Sequence, residues 1–178
     1  MMPPDETGEL RTRDPVEQAV HHWAERYPDA GSSGFRALTT LIRTYGLVTR
    51  NIEGLLRPVE LNLSRFEVLL LLSFTRTGCL PIMRLRDLLM IHGSSVTYLV
   101  DRLEEAGWVA READPSDRRV SLVRLTPEGR EVIDAAAGML VEADFGALAA
   151  LEDDRRGLFC DLLDELRQES EAPAEPRA

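Results

Sequence analysis

Apolar residues recur at helical spacing along most of this chain, and the interruptions are as informative as the stripes. Val16, Ala19, Val20 and Trp23 fall three or four apart, which predicts a short helix from Pro15 that breaks at Pro28 and the segment Asp29–Gly34. Phe35, Leu38, Leu41, Ile42, Tyr45, Val48, Ile52 and Leu55 then trace one long stripe, ending near Pro58. Ser64-Arg65-Phe66-Glu67 fits a capping box, in which each side chain satisfies the other residue's free backbone N–H. The run Val68 to Leu72 is apolar all round, as in a helix buried on several sides. Gly78 and Pro81 bracket a short connection with room for a brief strand.

The pattern changes between Leu80 and Gly129. Met83 to Met90 predicts a short amphipathic helix with Leu85, Leu88 and Leu89 inward, and Gly93 marks a turn. Val96, Leu99, Val100 and Leu103 form the buried stripe of a second helix, and Gly107 stands where a left-handed residue closes a helix. A short apolar strand opens at Trp108 and Val109. A loop with Asp114, Asp117, Arg118 and Arg119 follows, and Val120 to Leu125 makes a second strand. Thr126-Pro127-Glu128 combines an N-cap, a proline at the first helical position and an acid at the positive end of the helix dipole. A long helix runs on to about Ala150. A last one spans about Asp153 to Gln168, with Leu158, Leu162, Leu163 and Leu166 on one face. The expected fold is therefore mainly α with a small β-wing: a winged helix-turn-helix flanked by N- and C-terminal helices.

Charge sharpens this picture. The net charge is −10, yet between residues 82 and 126 seven arginines face seven acids, so the excess negative charge lies outside the winged segment. All 21 basic residues are arginine, a planar fork suited to phosphate and guanine. Cys79 and Cys160 have neither disulfide nor metal spacing, and both are expected to be buried and inert in a reducing cytoplasm. The polar, acidic opening Met1 to Asp14 does not resemble a signal peptide, and Val68 to Leu72 is far too short to span a membrane.

If the second helix buries its stripe, it presents Ser94, Ser95, Tyr98, Asp101, Arg102 and Glu105 outward, with Thr97 at the flank. Ser94, Ser95, Thr97 and Tyr98 offer hydroxyls to phosphates or base edges, and Arg102 can reach a phosphate or a guanine. Asp101 and Glu105 are repelled by phosphate, so the helix should enter a groove N-terminus first. In the wing, Asp117 can hold one arginine fork in a bidentate pair while the other arginine is free for the minor groove, where the potential is most negative. Double-stranded DNA is the expected partner.

Val96-Thr97, Val100-Asp101-Arg102-Leu103-Glu104-Glu105-Ala106-Gly107, Arg111, Asp114-Pro115, Asp117-Arg118-Arg119 and Leu125-Thr126-Pro127-Glu128-Gly129 together resemble the MarR family of winged-helix transcription regulators. The likeness is dense over roughly 62–132 and looser over the flanking helices. It implies a homodimer joined by its terminal helices, a palindromic operator, and a ligand-responsive repressor. It also implies that Asp117 orders the wing and that Arg118 or Arg119 enters the minor groove, with the aspartate-x-arginine spacing favouring Arg119. Surplus apolar faces on the terminal helices point to a dimer independently. The expected organisation is a disordered N-terminus (1–13), an N-terminal extension and dimerisation helix (14–60), a DNA-binding domain (61–126), C-terminal dimerisation helices (127–168) and a disordered acidic tail (169–178).

An extra N-terminal helix ending in a Trp-containing segment further resembles a urate-responsive branch of that family. The ligand positions implied by that likeness are Trp23, Glu67, Leu99 and Arg111. Leu99 replaces a cation there, which argues against urate and leaves a small aromatic or anionic effector. Arg43, Tyr45 and Phe66 are further candidate effector residues. An enzyme is not expected: no Walker loop, G-x-S-x-G or H-E-x-x-H is present, and adjacent His21 and His22 point to different helix faces. Neither a metal nor a cofactor is expected. The rival reading is a winged-helix adaptor or anti-repressor that no longer binds DNA, which the acidic balance favours and the Asp117-Arg118-Arg119 wing disfavours.

Overall fold

The computed structural model describes residues 14–171. The expected disorder at 1–13 lies outside them, as does 172–178 of the expected tail. The chain forms two compact units, divided between Asn51 and Ile52.

In the first unit, α1 (Pro15–Arg26) starts where the Asp14 carboxylate accepts the Val16 N–H at 2.9 Å. A 3₁₀ turn at Pro28–Ala30 leads into α2 (Ser33–Leu56). Three contacts staple the hairpin. Trp23 stacks on Phe35 with ring centroids 4.3 Å apart, its indole N–H donates to the Gly31 carbonyl at 3.1 Å, and Arg36 pairs with Glu17 at 2.6 Å. The stripe of α2 is on the surface: Leu38, Leu41, Ile42 and Tyr45 are all exposed.

The second unit holds α3 (Leu63–Ser73), β1 (Cys79–Pro81), α4 (Ile82–Leu89), α5 (Gly93–Glu105), β2 (Val109–Ala113), β3 (Ser121–Leu125), α6 (Pro127–Glu142) and α7 (Asp153–Glu171). Its core is built from Leu56, Val68, Leu69, Leu72, Leu85, Val96, Val100, Leu103, Val123 and Ile133, all fully enclosed. The antiparallel sheet has the order β1-β3-β2, with Leu80 opposite Val123 and Arg111 opposite Val123 on its other side. The room for a strand beside Pro81 is thus filled, and that strand anchors the base of the wing.

Several local expectations change. Helix α3 begins one residue before Ser64: Asn62 is its cap, accepting the Arg65 N–H at 2.9 Å. Glu67 is then too far along the helix to answer in a capping box, and its side chain is exposed. The left-handed residue of the turn between α4 and α5 is Met90, while Gly93 is already the first residue of α5. Leu85 is buried but Leu88 is exposed. Helix α6 stops at Glu142 rather than near Ala150, because Asp144, Phe145 and Gly146 are left-handed. Arg156 holds that break, with its fork on the Asp144 carboxylate and its Nε donating to the Leu151 carbonyl at 2.8 Å. Leu158, Leu162 and Leu166 are exposed on α7. Neither cysteine is buried, and Cys160 is exposed.

Two small features lock the wing to the core. The Thr126 hydroxyl accepts the Gly129 N–H at 3.0 Å and donates to the Gly107 carbonyl at 2.8 Å. Gly129 packs so closely that an added Cβ would stand 2.1 Å from the Trp108 carbonyl oxygen, so only glycine lets α6 start there.

Candidate nucleic-acid interface

Helix α5 divides as its periodicity requires. Val96, Leu99, Val100 and Leu103 are buried, while Ser94, Ser95, Thr97, Tyr98 and Arg102 are exposed on the opposite side. The Thr97 hydroxyl donates to the Gly93 carbonyl at 3.1 Å, and the Arg102 guanidinium lies 5.6 Å from the Tyr98 ring centroid. This face is polar, with hydroxyls toward its N-terminal half and a cation toward its C-terminal half.

The acids that seemed to oppose DNA are each partnered. Arg102 pairs with Glu105 at 2.7 Å. Arg111, on β2, reaches back to α5 and pairs with Asp101 at 2.5 Å and Glu104 at 2.6 Å. Its backbone N–H donates to Glu104 at 2.9 Å and its fork to the Thr97 carbonyl at 3.3 Å. One guanidinium therefore neutralises half of two carboxylates and ties the base of the wing to the exposed helix. Sequence reasoning marked Arg111 for an effector and missed this clamp. The signal was present: acids at 101 and 104 lie one turn apart, and a glycine turn returns the chain antiparallel past them.

The wing is ordered by its own short side chains. Asp114 accepts the Ser116 N–H at 2.7 Å and hydroxyl at 2.6 Å. Asp117 accepts the Arg119 N–H at 3.0 Å, its Nε at 3.1 Å and its Nη2 at 3.3 Å. The Arg119 side chain is nonetheless 91% exposed, so its direction is set while its donors stay open to a further acceptor. Arg118 is exposed and makes no ion pair among the described residues. The Arg119 side chain, then its backbone N–H, hold the Asp117 carboxyl below its ordinary range. The Ser116 hydroxyl and N–H do the same for Asp114. At the wing base Arg124 grips Glu112 at 2.7 and 2.8 Å and donates to the Thr77 carbonyl at 3.1 Å.

The effector candidates fall in both units. Trp23 is engaged with Phe35 and Gly31, while Arg43 and Tyr45 are exposed on α2. Phe66 and Leu99 are core residues, which accounts for an apolar residue at position 99. Glu67 is exposed, and desolvation pushes its carboxyl above the ordinary value. Among the described residues no cluster of His, Cys, Asp and Glu could hold a metal ion, and no helix is long and apolar enough to cross a membrane.

The sequence profile of the MarR family matches residues 61–121. The HTH-type transcriptional regulator PecS of Dickeya dadantii is 28% identical over 144 residues, spanning 79% of this chain and 86% of PecS. Sco5413, a MarR family transcriptional regulator from Streptomyces coelicolor, superposes with a TM-score of 0.73 at 33% identity, over 82% of this chain and 100% of that one. Sco3205, another such regulator from the same organism, solved in complex with DNA, gives a TM-score of 0.70 at 26% identity, over 80% and 90% of the two chains.

Proposed function

The chain belongs to the MarR family of DNA-binding transcription regulators, and from that footing we propose that it is a homodimeric repressor of a palindromic operator, released by a small aromatic or anionic effector. The observation that carries this reading is the wing: Asp117 aims an arginine that remains almost wholly in water. Such an arginine fits a narrow minor groove, while Ser94, Ser95, Thr97, Tyr98 and Arg102 of α5 meet base edges and phosphates in the adjacent major groove. The paired acids of α5 remove the main electrostatic objection. Asp117 holds Arg119 rather than leaving it free as the arginine for the groove, but because that side chain stays almost wholly exposed, Arg119 is the minor-groove residue in this reading and Arg118 contacts the backbone.

The dimer rests on apolar faces that each unit leaves uncovered: Leu38, Leu41, Ile42 and Tyr45 on α2, and Leu158, Leu162 and Leu166 on α7. Twofold pairing covers them and presents two wings to a symmetric site. Selection of bound DNA from a random pool tests the proposal. An enriched inverted repeat with half-sites about one helical turn apart is expected. Failure to enrich any sequence favours the adaptor reading, and light scattering at monomer mass at micromolar concentration ends the dimer.

A further inference from the structure

The exposed face of α5 holds few groups able to tell one base pair from another. In the major groove the discriminating hydrogen-bond partners are arginine or lysine for guanine, asparagine or glutamine for adenine, and a carboxylate for cytosine. Helix α5 contains neither asparagine nor glutamine. Its acids are all paired, Asp101 and Glu104 with Arg111 and Glu105 with Arg102. Its single arginine, Arg102, is thereby engaged, and it stands in the last turn, away from the N-terminal half of a recognition helix that meets base edges.

That half offers Ser94, Ser95, Thr97 and Tyr98. A hydroxyl both donates and accepts, so it bonds to any base edge and selects none. What remains is apolar. The Thr97 hydroxyl spends its hydrogen on the Gly93 carbonyl at 3.1 Å, so this exposed side chain offers its methyl outward. Tyr98 is 60% exposed, and the Arg102 guanidinium steadies its ring from 5.6 Å. The two adjacent residues thus place an aromatic ring and a methyl between the serines and Arg102. Among the four bases only thymine carries an apolar group on its major-groove edge, the C5-methyl.

We propose that α5 selects its half-site through thymine C5-methyl groups, received by the Tyr98 ring and the Thr97 methyl, while Arg102 and the two serines hold the phosphate backbone. The proposal rests on the DNA-binding reading above and specifies how that same face discriminates: by apolar contact, without an arginine–guanine or carboxylate–cytosine bond. The wing favours the same kind of site, because an exposed arginine such as Arg119 is drawn to the narrow minor groove of an A·T tract.

The test uses the full-length protein and the operator obtained by selection. Each thymine is replaced in turn by deoxyuridine, which removes only the methyl, and affinity is read by fluorescence anisotropy. At about one or two positions in each half-site the loss should be about fourfold, the effect of one buried methyl-sized group. Tyr98→Ala or Thr97→Ser should erase the penalty at the thymine that each residue contacts, because the methyl then has no apolar partner to lose. Tyr98→Phe and Thr97→Val, which keep the apolar surface and delete the hydroxyl, should retain it. A residue that only supports the fold would instead weaken the thymine and uracil operators alike. Uracil tolerated at every thymine overturns the proposal, as do penalties that survive both Tyr98→Ala and Thr97→Ser. So does loss of a guanine preference in Arg102→Ala, which would make that fork the reader. If selection enriches no sequence, the DNA-binding reading fails and this one falls with it. An enriched inverted repeat indifferent to its thymine methyls leaves that reading standing and removes only this one.

Discussion

Replacing Arg111 by methionine should weaken DNA binding about tenfold through a residue that need not touch DNA. Methionine keeps much of the side chain's length and removes the charge. In the native fold the guanidinium, 27% exposed, bridges Asp101 and Glu104. For folding, each partly exposed pair is worth about 0.2–1 kcal/mol, and the like charges left one turn apart add about 0.2–0.5 kcal/mol. The expected loss is about 1–2 kcal/mol, or roughly 3–6 °C in Tm. For binding, the change uncovers one net negative charge per protomer on the helix proposed to face DNA. At about 10 Å in water a unit charge and a phosphate repel by about 0.4 kcal/mol, reduced to about 0.15 kcal/mol at 0.1 M salt. Given the charge density of duplex DNA, about four phosphates lie at that range, so two half-sites together lose about 1.2 kcal/mol. Fluorescence anisotropy with a selected operator should show the deficit widening at 50 mM salt and narrowing at 300 mM, since screening acts on repulsion as on attraction. Asp101→Asn added to Arg111→Met should recover much of the affinity. Wild-type affinity for Arg111→Met at both salt concentrations would refute the clamp. If that variant binds DNA normally but no longer responds to an effector, Arg111 is a ligand residue instead.

Arg119→Ala should cost about 1–3 kcal/mol of operator binding per half-site with an unchanged melting curve, whereas Arg118→Ala should mainly flatten the salt dependence. Near-native affinity of Arg119→Ala would sink the wing assignment. Gly129→Ala drives a Cβ into the Trp108 carbonyl and should destabilise the protein by about 1–3 kcal/mol, read as a fall in Tm by calorimetry. An unchanged Tm would mean that α6 shifts freely. The wing should also respond to acid in a defined direction. Asp114 and Asp117 titrate below their ordinary value of 3.8, so their contribution is complete above that value and disappears as pH falls through the depressed folded-state values. The carboxyl carbon shifts of Asp114 and Asp117 followed by NMR should therefore stay at their ionised values through mildly acidic pH and titrate with midpoints below 3.8. A midpoint at or above 3.8 for Asp117 would contradict the Asp117–Arg119 pairing.

The parts of this molecule legible in the sequence depend on neighbours within one helical turn or one tight turn. The buried stripe Val96, Leu99, Val100 and Leu103, the left-handed Gly107 and the Thr126 cap are all of that kind, and each side chain lies where periodicity requires. The start of α3 was less legible: the Ser64-x-x-Glu67 pattern suggests a capping box, but Asn62 caps the helix instead, accepting the Arg65 N–H. An apolar pattern alone did not decide which leucines go inside: Leu85 is enclosed and Leu88, three residues on, is not. Nor did composition show that α6 breaks at Asp144, because the fork securing that break comes from Arg156, twelve residues away. The charge logic of α5 is the clearest case. As sequence, Asp101 reads as an outward acid that phosphate should repel, and nothing ties it or its neighbour Glu104 to a cation. Only when the chain turns at Gly107 and β2 runs back beside the helix does Arg111 reach both carboxylates. Local backbone preferences are encoded residue by residue, but a side chain's electrostatic partner is set by distances through space, and those exist only once the chain has folded.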